Sequence, residues 1–332
     1  MSSSPLDQPA TRAHLEHLAR TGHLSPAALE RALHLAGHRP DPATWRRFAD
    51  RMLLLLGLAL LLAGIIFFFA YNWAAMSRFV KFALIEAALA GAVGAAWFRG
   101  VHRLGGQAAL TGAVVLVGAF LAVFGQVYPT GADAYELFGL WSLLILPWVT
   151  VSRFPALWVL WLALLDATWL AYRAQVTDPT GAAWPATVLP PAVLHLTALA
   201  AWETGAARGV AWLRKRWAPA LLAAVALAAL SASVVDAFFA ARGFGLHLGG
   251  THGLAVALYT AVLVTGLWFY RSRRDVLMLA LWLLSAIVVV TAGLIKTIDV
   301  EGWGALFIGL LVVAQSAAAA AWLRTVAREG GS

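Results

Sequence analysis

The chain has 332 residues, 61% of them hydrophobic, 12% charged and none cysteine, whereas about 25% of residues are charged in an ordinary soluble domain. That excludes a soluble globular protein, and the missing thiol excludes disulfides, thiolate metal sites and a cysteine nucleophile, leaving the compartment undecided on redox grounds. The formal net charge of +8 does not point to nucleic acid, because the basic residues lie between apolar blocks and form no patch interleaved with aromatics.

Residues 1–10 (MSSSPLDQPA) read as a disordered tail. From Thr11 the pattern turns helical, with Leu15 and Leu18 on one face and Gly22 as a stop. Ser25-Pro26 then supplies an N-cap and a first helical position for a second short helix, which buries Leu29, Leu33 and Ala36 and ends at Gly37. Asp41-Pro42 repeats the arrangement, and the helix it starts runs through Trp45, Arg46, Arg47, Phe48 and Arg51 into the first apolar block. Residues 11–51 are therefore either a small cytosolic helical module or an amphipathic lead-in on anionic headgroups. Because this stretch is polar, the first apolar block is expected to be kept as an anchor and not removed as a signal peptide.

The apolar blocks are near the roughly 20 residues that cross a hydrocarbon core as a helix, and helices satisfy their own backbone in lipid. The fold class is therefore all-α, a polytopic transmembrane bundle of ten spans: 52–71, 79–98, 107–127, 136–151, 154–172, 186–203, 217–238, 253–270, 276–296 and 303–323. Residues 52–172 form a first membrane region, 173–323 a second, and 324–332 a tail. With both termini cytoplasmic, 19 basic residues fall on the inner side and 5 on the outer (Arg78, Lys81, Arg173, Arg242 and Lys296), the bias that sets membrane orientation.

Close helix approach in lipid relies on small residues. Ala87, Gly91 and Ala95 give the second span such a face; Ala220, Ala224, Ala228 and Ala232 give one to the seventh, and Asp236 continues that row. Trp73, Trp97, Trp141, Trp148, Trp217, Trp303 and Trp322 sit near span ends, where interfacial belts form, while Trp158, Trp161 and Trp169 crowd the fifth span and either pack or line a groove. Pro190-Pro191 interrupts the sixth span. A broken transporter helix is one account; a proline kink in an ordinary bundle is favoured, because the first span has only Gly57 and Gly64 and the halves share no residue-level similarity.

The polar residues in and near the spans map to the outer side: Asn72, Lys81, Glu86, Gln126, Tyr128, Asp133, Tyr135, Glu136, Asp166, Asp236, Lys296, Asp299 and Glu301. An ionised group in hydrocarbon costs at least ~2.5–3.5 kcal/mol, so Glu86 and Asp166 need partners or a wet cavity. Lys81, five residues from Glu86, points away from it, which leaves Lys296 or an outer-loop arginine as the cation. These groups are either a pocket for a solute, headgroup or peptide, or interhelical pairs that fix the bundle. His195 is expected to be a hydrogen-bonded helix residue, His34 and His38 to be solvated, and His247 and His252 to be loop histidines without the third ligand a metal requires. No Walker loop, nucleophile elbow or zinc-protease motif is present, so no cofactor, metal or catalytic residue is expected.

Two stretches, GLALLLAGIIFFFAYNWAAMSRFVKF and FGQVYPTGADAYELFGLWSLLILPW, resemble the bacterial predicted membrane protein family known as domain of unknown function 2157, over about residues 11–170. The shared pattern is a short helical N-terminal region, a first span ending in Asn72-Trp73, Lys81 at the start of the next, and the stretch from Gln126 to Trp141 with Tyr128, Asp133 and Tyr135. The resemblance implies no activity. It implies a bacterial inner-membrane location and, since members tend to accompany a second membrane protein, an assembly role. Together these readings favour a non-enzymatic component that binds a partner or ligand through the outer polar cluster, with the bilayer as its surroundings. The alternative is a transporter or lipid-handling permease using Glu86, Asp166 and Asp236 as protonatable groups.

Overall fold

The computed structural model describes residues 10–37, 42–72, 75–128, 131–177, 184–241, 246–298 and 303–329, with the backbone alone at 69, 70 and 72. Among them there are only helices and short turns. The chain divides into two compact units, residues 1–76 and 77–332.

The first unit contains α1 (Arg12–Arg20), α2 (Pro26–Leu35) and α3 (Pro42–Asn72). Thr11 caps α1 by accepting the His14 N–H at 3.3 Å, and Ser25 caps α2 by accepting from Ala28 at 3.3 Å, with Pro26 in the first turn. Gly22 and Gly37 follow the two helices at φ of +78° and +71°, the left-handed stop that glycine adopts without penalty. Leu15 and Leu33 are the buried residues where α1 meets α2. Leu18, Leu29 and Ala36 are half-buried. α3 has 31 residues, roughly 46 Å at 1.5 Å per residue, so it carries Trp45 to Arg51 as well as the first span. Asp41 and His38 lie outside the described residues.

The second unit holds α4 (Arg78–Arg99), α5 (Leu104–Val127), α6 (Ala134–Ser152), α7 (Pro155–Val176), α8 (Trp184–Ala207), a 3-10 turn (Ala211–Arg214), α9 (Trp217–Ala240), α10 (Gly250–Ser272), α11 (Val276–Thr297) and α12 (Trp303–Glu329). With α3 these make ten helices long and apolar enough to cross a membrane, matching the ten expected spans to within a few residues except where α3 starts and α12 ends. α4 to α7 pack as successive hairpins, while α8, α10 and α11 gather around α9, the most buried helix. Tight reversals between α6 and α7 and between α10 and α11 put Arg153 and Arg274 at φ of 49° and 53°, a left-handed backbone that costs a non-glycine residue roughly 1–2 kcal/mol.

Two expected packing faces are displaced. In α9 the buried seam runs through Ala223, Ala226, Leu230, Ser233 and Ala237, whereas Ala224, Ala228 and Ala232 line a groove of about 360 Å³ against α11. A row of every fourth residue drifts around the helix, so half a turn of error moves it off the contact. In α4 the contact with α5 uses Ile85 and Ala96, and Ala87 and Gly91 are exposed.

Tryptophan does much of the interhelical bonding. The Trp141 indole donates to the Val114 carbonyl at 2.8 Å and lies over Gly118, where an added Cβ would stand 2.4 Å from the ring. Trp282 repeats this on Val262 and Gly266, at 2.9 Å and 1.9 Å. In both, the acceptor is the residue four before the glycine. Omitting that one side chain uncovers the carbonyl's second lone pair and seats the ring. Trp169 donates at 2.7 Å to Thr187, whose carbonyl has no helical donor because the residue four ahead is Pro191. The double proline is therefore accommodated inside a continuous α8. Trp141 and Trp148 turn inward, against the expectation of a belt, while Trp97, Trp217 and Trp303 are exposed at helix ends. Trp73 is outside the described residues.

Gly118→Ala is expected to destabilise by about 1–3 kcal/mol through overpacking, and Trp141→Phe by about 0.5–1.5 kcal/mol or more through the lost bond. The double variant should fall short of the sum, because the smaller ring relieves the clash. Additive losses in a thermal-unfolding cycle in detergent would show that the two residues do not form one unit.

Candidate functional site

The alternation of helices puts Arg99, Arg103, Arg153, Arg208, Arg214 to Arg216, Arg271 to Arg274, Arg324 and Arg328 at one end of the second unit, here termed the basic end. Lys81, Arg173 and Lys296 stand toward the other end, where most of the expected polar cluster lies. Among the described residues the cluster does not form one site; it separates into distinct places.

The first is the corner where α5 ends and α6 begins. Asp133 is the N-cap of α6 in a capping box whose Glu136 carboxylate accepts the Asp133 N–H at 3.1 Å. Gln126, Asp133 and Glu136 line a cavity of about 550 Å³ floored by apolar residues such as Leu121 and Leu137. Tyr128 stacks on Phe82 of α4, next to the buried Lys81, with ring centroids 6.1 Å apart. Tyr135 meets Tyr172 edge-on at 5.4 Å, and its backbone N–H donates to the Gln175 side chain at 3.4 Å, tying α6 to α7.

The second is a pair in mid-helix. His195 Nε2 and Asp166 Oδ2 are 2.7 Å apart, between the middle of α7 and the middle of α8. This is the partner Asp166 required, and His195 is the hydrogen-bonded helix residue expected. Asp166 Oδ1 and His195 Nδ1 are buried without a hydrogen bond among the described residues. The third place is the far end of α9, where Asp236 Oδ2 lies 2.9 Å from His252 Nε2 and the His247 ring stands edge-on to His252 at 5.0 Å. The described residues contain no group of three His, Asp or Glu able to hold a metal.

Glu86 does not find the cation expected for it. It is exposed on α4 and makes no hydrogen bond or ion pair among the described residues; Lys296 instead donates to the Ala241 carbonyl at 3.4 Å and lies over the Phe239 ring at 5.8 Å. The side chain of Asn72 and all of Trp73, Arg242, Asp299 and Glu301 lie outside the described residues.

Sequence reasoning missed the largest ionic network. At the basic end, Glu203 of α8 is buried and accepts from Arg216 at 2.8 Å, from Arg273 at 2.9 Å and from the Tyr270 hydroxyl at 3.4 Å. Arg216 also bridges to Asp275, the N-cap of α11. Burial alone would depress the Arg216 guanidinium, but the hydrogen bond and charge of Glu203, then those of Asp275, outweigh it and hold its pKa above the usual arginine value. Counting these arginines only as orientation signals hid their partners; the available clue was Glu203, an acid inside an apolar span near its basic end. Among the tryptophans of the fifth span, Trp158 and Trp161 line a cavity of about 430 Å³ with Trp202 and Trp212, while Trp169 is elsewhere on Thr187.

Glu203→Gln leaves Arg216 and Arg273 adjacent without their shared counter-charge. The expected loss is about 1.5–3 kcal/mol, the usual worth of hydrogen bonds to a charged group, read as a lowered unfolding temperature in detergent. An unchanged temperature would mean that the network adds nothing to stability.

No significant match exists among curated proteins or among solved structures. Residues 16–158, from α1 to the start of α7, match the family Predicted membrane protein (DUF2157), and over that segment the resemblance seen in the sequence holds.

Proposed function

We propose that the chain is a non-enzymatic component of a bacterial inner membrane, both termini cytoplasmic, that binds a second membrane protein through the corner between α5 and α6. The observation that carries this is the cavity of about 550 Å³ at that corner, lined by Gln126, Asp133 and Glu136 and falling within the family-matched segment. Its polar groups are exposed and stand on the rigid ends of two helices, as a docking surface requires. Asp133→Asn keeps the N-cap while removing the charge, so paired with Gln126→Ala it tests recognition without breaking the helix. In native mass spectrometry of the chain extracted from its own membranes, a second polypeptide is expected at fixed stoichiometry and should fall about tenfold in the double variant. No second polypeptide, or one indifferent to the double variant, overturns the reading. Placement of the termini is checked by a topology reporter fused after Glu329; activity on the far side of the membrane would reverse it.

One observation favours the permease alternative: the Asp166–His195 pair, halfway along both helices. That reading predicts that the reconstituted chain dissipates a pH gradient and that Asp166→Asn stops it at unchanged protein amount. Equal rates in vesicles with wild type, variant or no protein would remove it.

A further inference from the structure

A groove of about 450 Å³ runs between α8 and α10, with Trp282 of α11 as its floor. Its walls are one face of each helix, from Leu196 to Ala207 and from Val262 to Arg273. Eleven residues of helix rise roughly 16 Å, which matches the depth of one leaflet of a hydrocarbon core about 30 Å thick. The deep part of the groove is aliphatic and aromatic. Its shallow part reaches the basic end, where α8 to α12 and their connections carry nine basic side chains (Arg208, Arg214, Lys215, Arg216, Arg271, Arg273, Arg274, Arg324 and Arg328) against three acidic ones (Glu203, Asp275 and Glu329).

We infer that this groove is a binding site for one anionic phospholipid of the leaflet at the basic end, its acyl chain against Leu199 and Val262 and its phosphate on Arg273. Arg273 suits the role because only its Nη1 is committed, to Glu203 at 2.9 Å, and 42% of its side chain remains exposed. A guanidinium offers further donors in a planar fork that fits phosphate oxygens. Glu203, which lines the same end, does not repel the headgroup on balance, since it is held by two arginines and the Tyr270 hydroxyl. The Arg273 guanidinium carbon lies 4.2 Å from the centre of the Phe269 ring, a cation–π contact at the mouth of the groove. An apolar shaft one leaflet deep, capped by a half-committed arginine at a basic interface, selects a lipid over a soluble anion.

The test reconstitutes the full chain in vesicles containing a trace of phosphatidylglycerol or phosphatidylcholine that bears the same photoreactive acyl chain. Cross-links are mapped to the peptides covering Leu196–Ala207 and Val262–Arg273. Wild type should be labelled about tenfold more by the anionic lipid, a preference that Arg273→Gln brings to parity. Free glycerol phosphate in excess should not compete, which separates a lipid site from an anion site. Ala200→Trp, at an exposed position of the groove wall, leaves the ionic network intact and should lower labelling by both lipids; it carries the test if Arg273→Gln fails to fold. Equal labelling by the two lipids in wild type, a preference that survives Arg273→Gln, competition by glycerol phosphate, or unchanged labelling in Ala200→Trp would each overturn the proposal.

Discussion

In a bundle surrounded by hydrocarbon, an indole N–H that finds no acceptor is expensive, and that constraint organises much of the second unit. Five tryptophans donate to backbone carbonyls of a neighbouring element: Trp141 to Val114, Trp161 to Ser142, Trp169 to Thr187, Trp202 to Leu213 and Trp282 to Val262. Lipid offers no apolar driving force for pairing helices, so contacts need close packing plus polar bonds. These tryptophans supply both in one side chain. The glycines at 118 and 266 and the proline at 191 are the other half of the device, two by withdrawing a side chain and one by withdrawing a donor. Core positions around them then follow: Val114 in one cluster, Leu279 and Trp282 in another.

The two ends of the second unit solve different problems. At the basic end the guanidiniums are drawn into bonds that join elements not consecutive in the chain: Arg216 links α8 to the cap of α11, Arg273 returns from α10 to α8, and Arg271 reaches Glu329 on α12 at 2.7 Å. The left-handed turn at Arg274 stands between Arg273, which bonds Glu203, and Asp275, which bonds Arg216. At the other end, among the described residues, Asp236 pairs with His252, Asp133 and Glu136 cap α6, and the α5–α6 corner is left open.

How much of this was legible follows from period and distance. Span number and boundaries depend on runs of about twenty apolar residues, and the two short N-terminal helices on local signals such as Thr11 and Ser25-Pro26, all carried by neighbours in sequence. Which face a span buries depends on a few degrees per residue accumulated over six turns, and there the alanine row of α9 missed by half a turn. Pairings between spans have no local signature at all. Asp166 announced that it needed a partner, but that His195 supplies it depends on the mutual height of α7 and α8. Glu203 went unnoticed because its arginines already had an explanation in membrane orientation.

The mid-helix pair bears most directly on the choice between scaffold and permease, through charge alone. If Asp166 and His195 share one dissociable proton beyond the imidazole's own N–H, the pair is uncharged overall, whether that proton sits on the carboxylate or on the imidazole. A lone ionised carboxylate at that depth would cost at least ~2.5–3.5 kcal/mol, which the hydrogen bond between Asp166 and His195 helps to offset. Adding or removing a proton leaves a net charge half a membrane away from either surface. For the pair to carry protons, a charge must therefore travel with each one or a wetted path must reach it. Buried Nδ1 and Oδ1 atoms are the points where such a path would attach. Without it, the same geometry is a hydrogen-bonded clasp between α7 and α8, the polar counterpart of the tryptophan bonds, and it serves the scaffold.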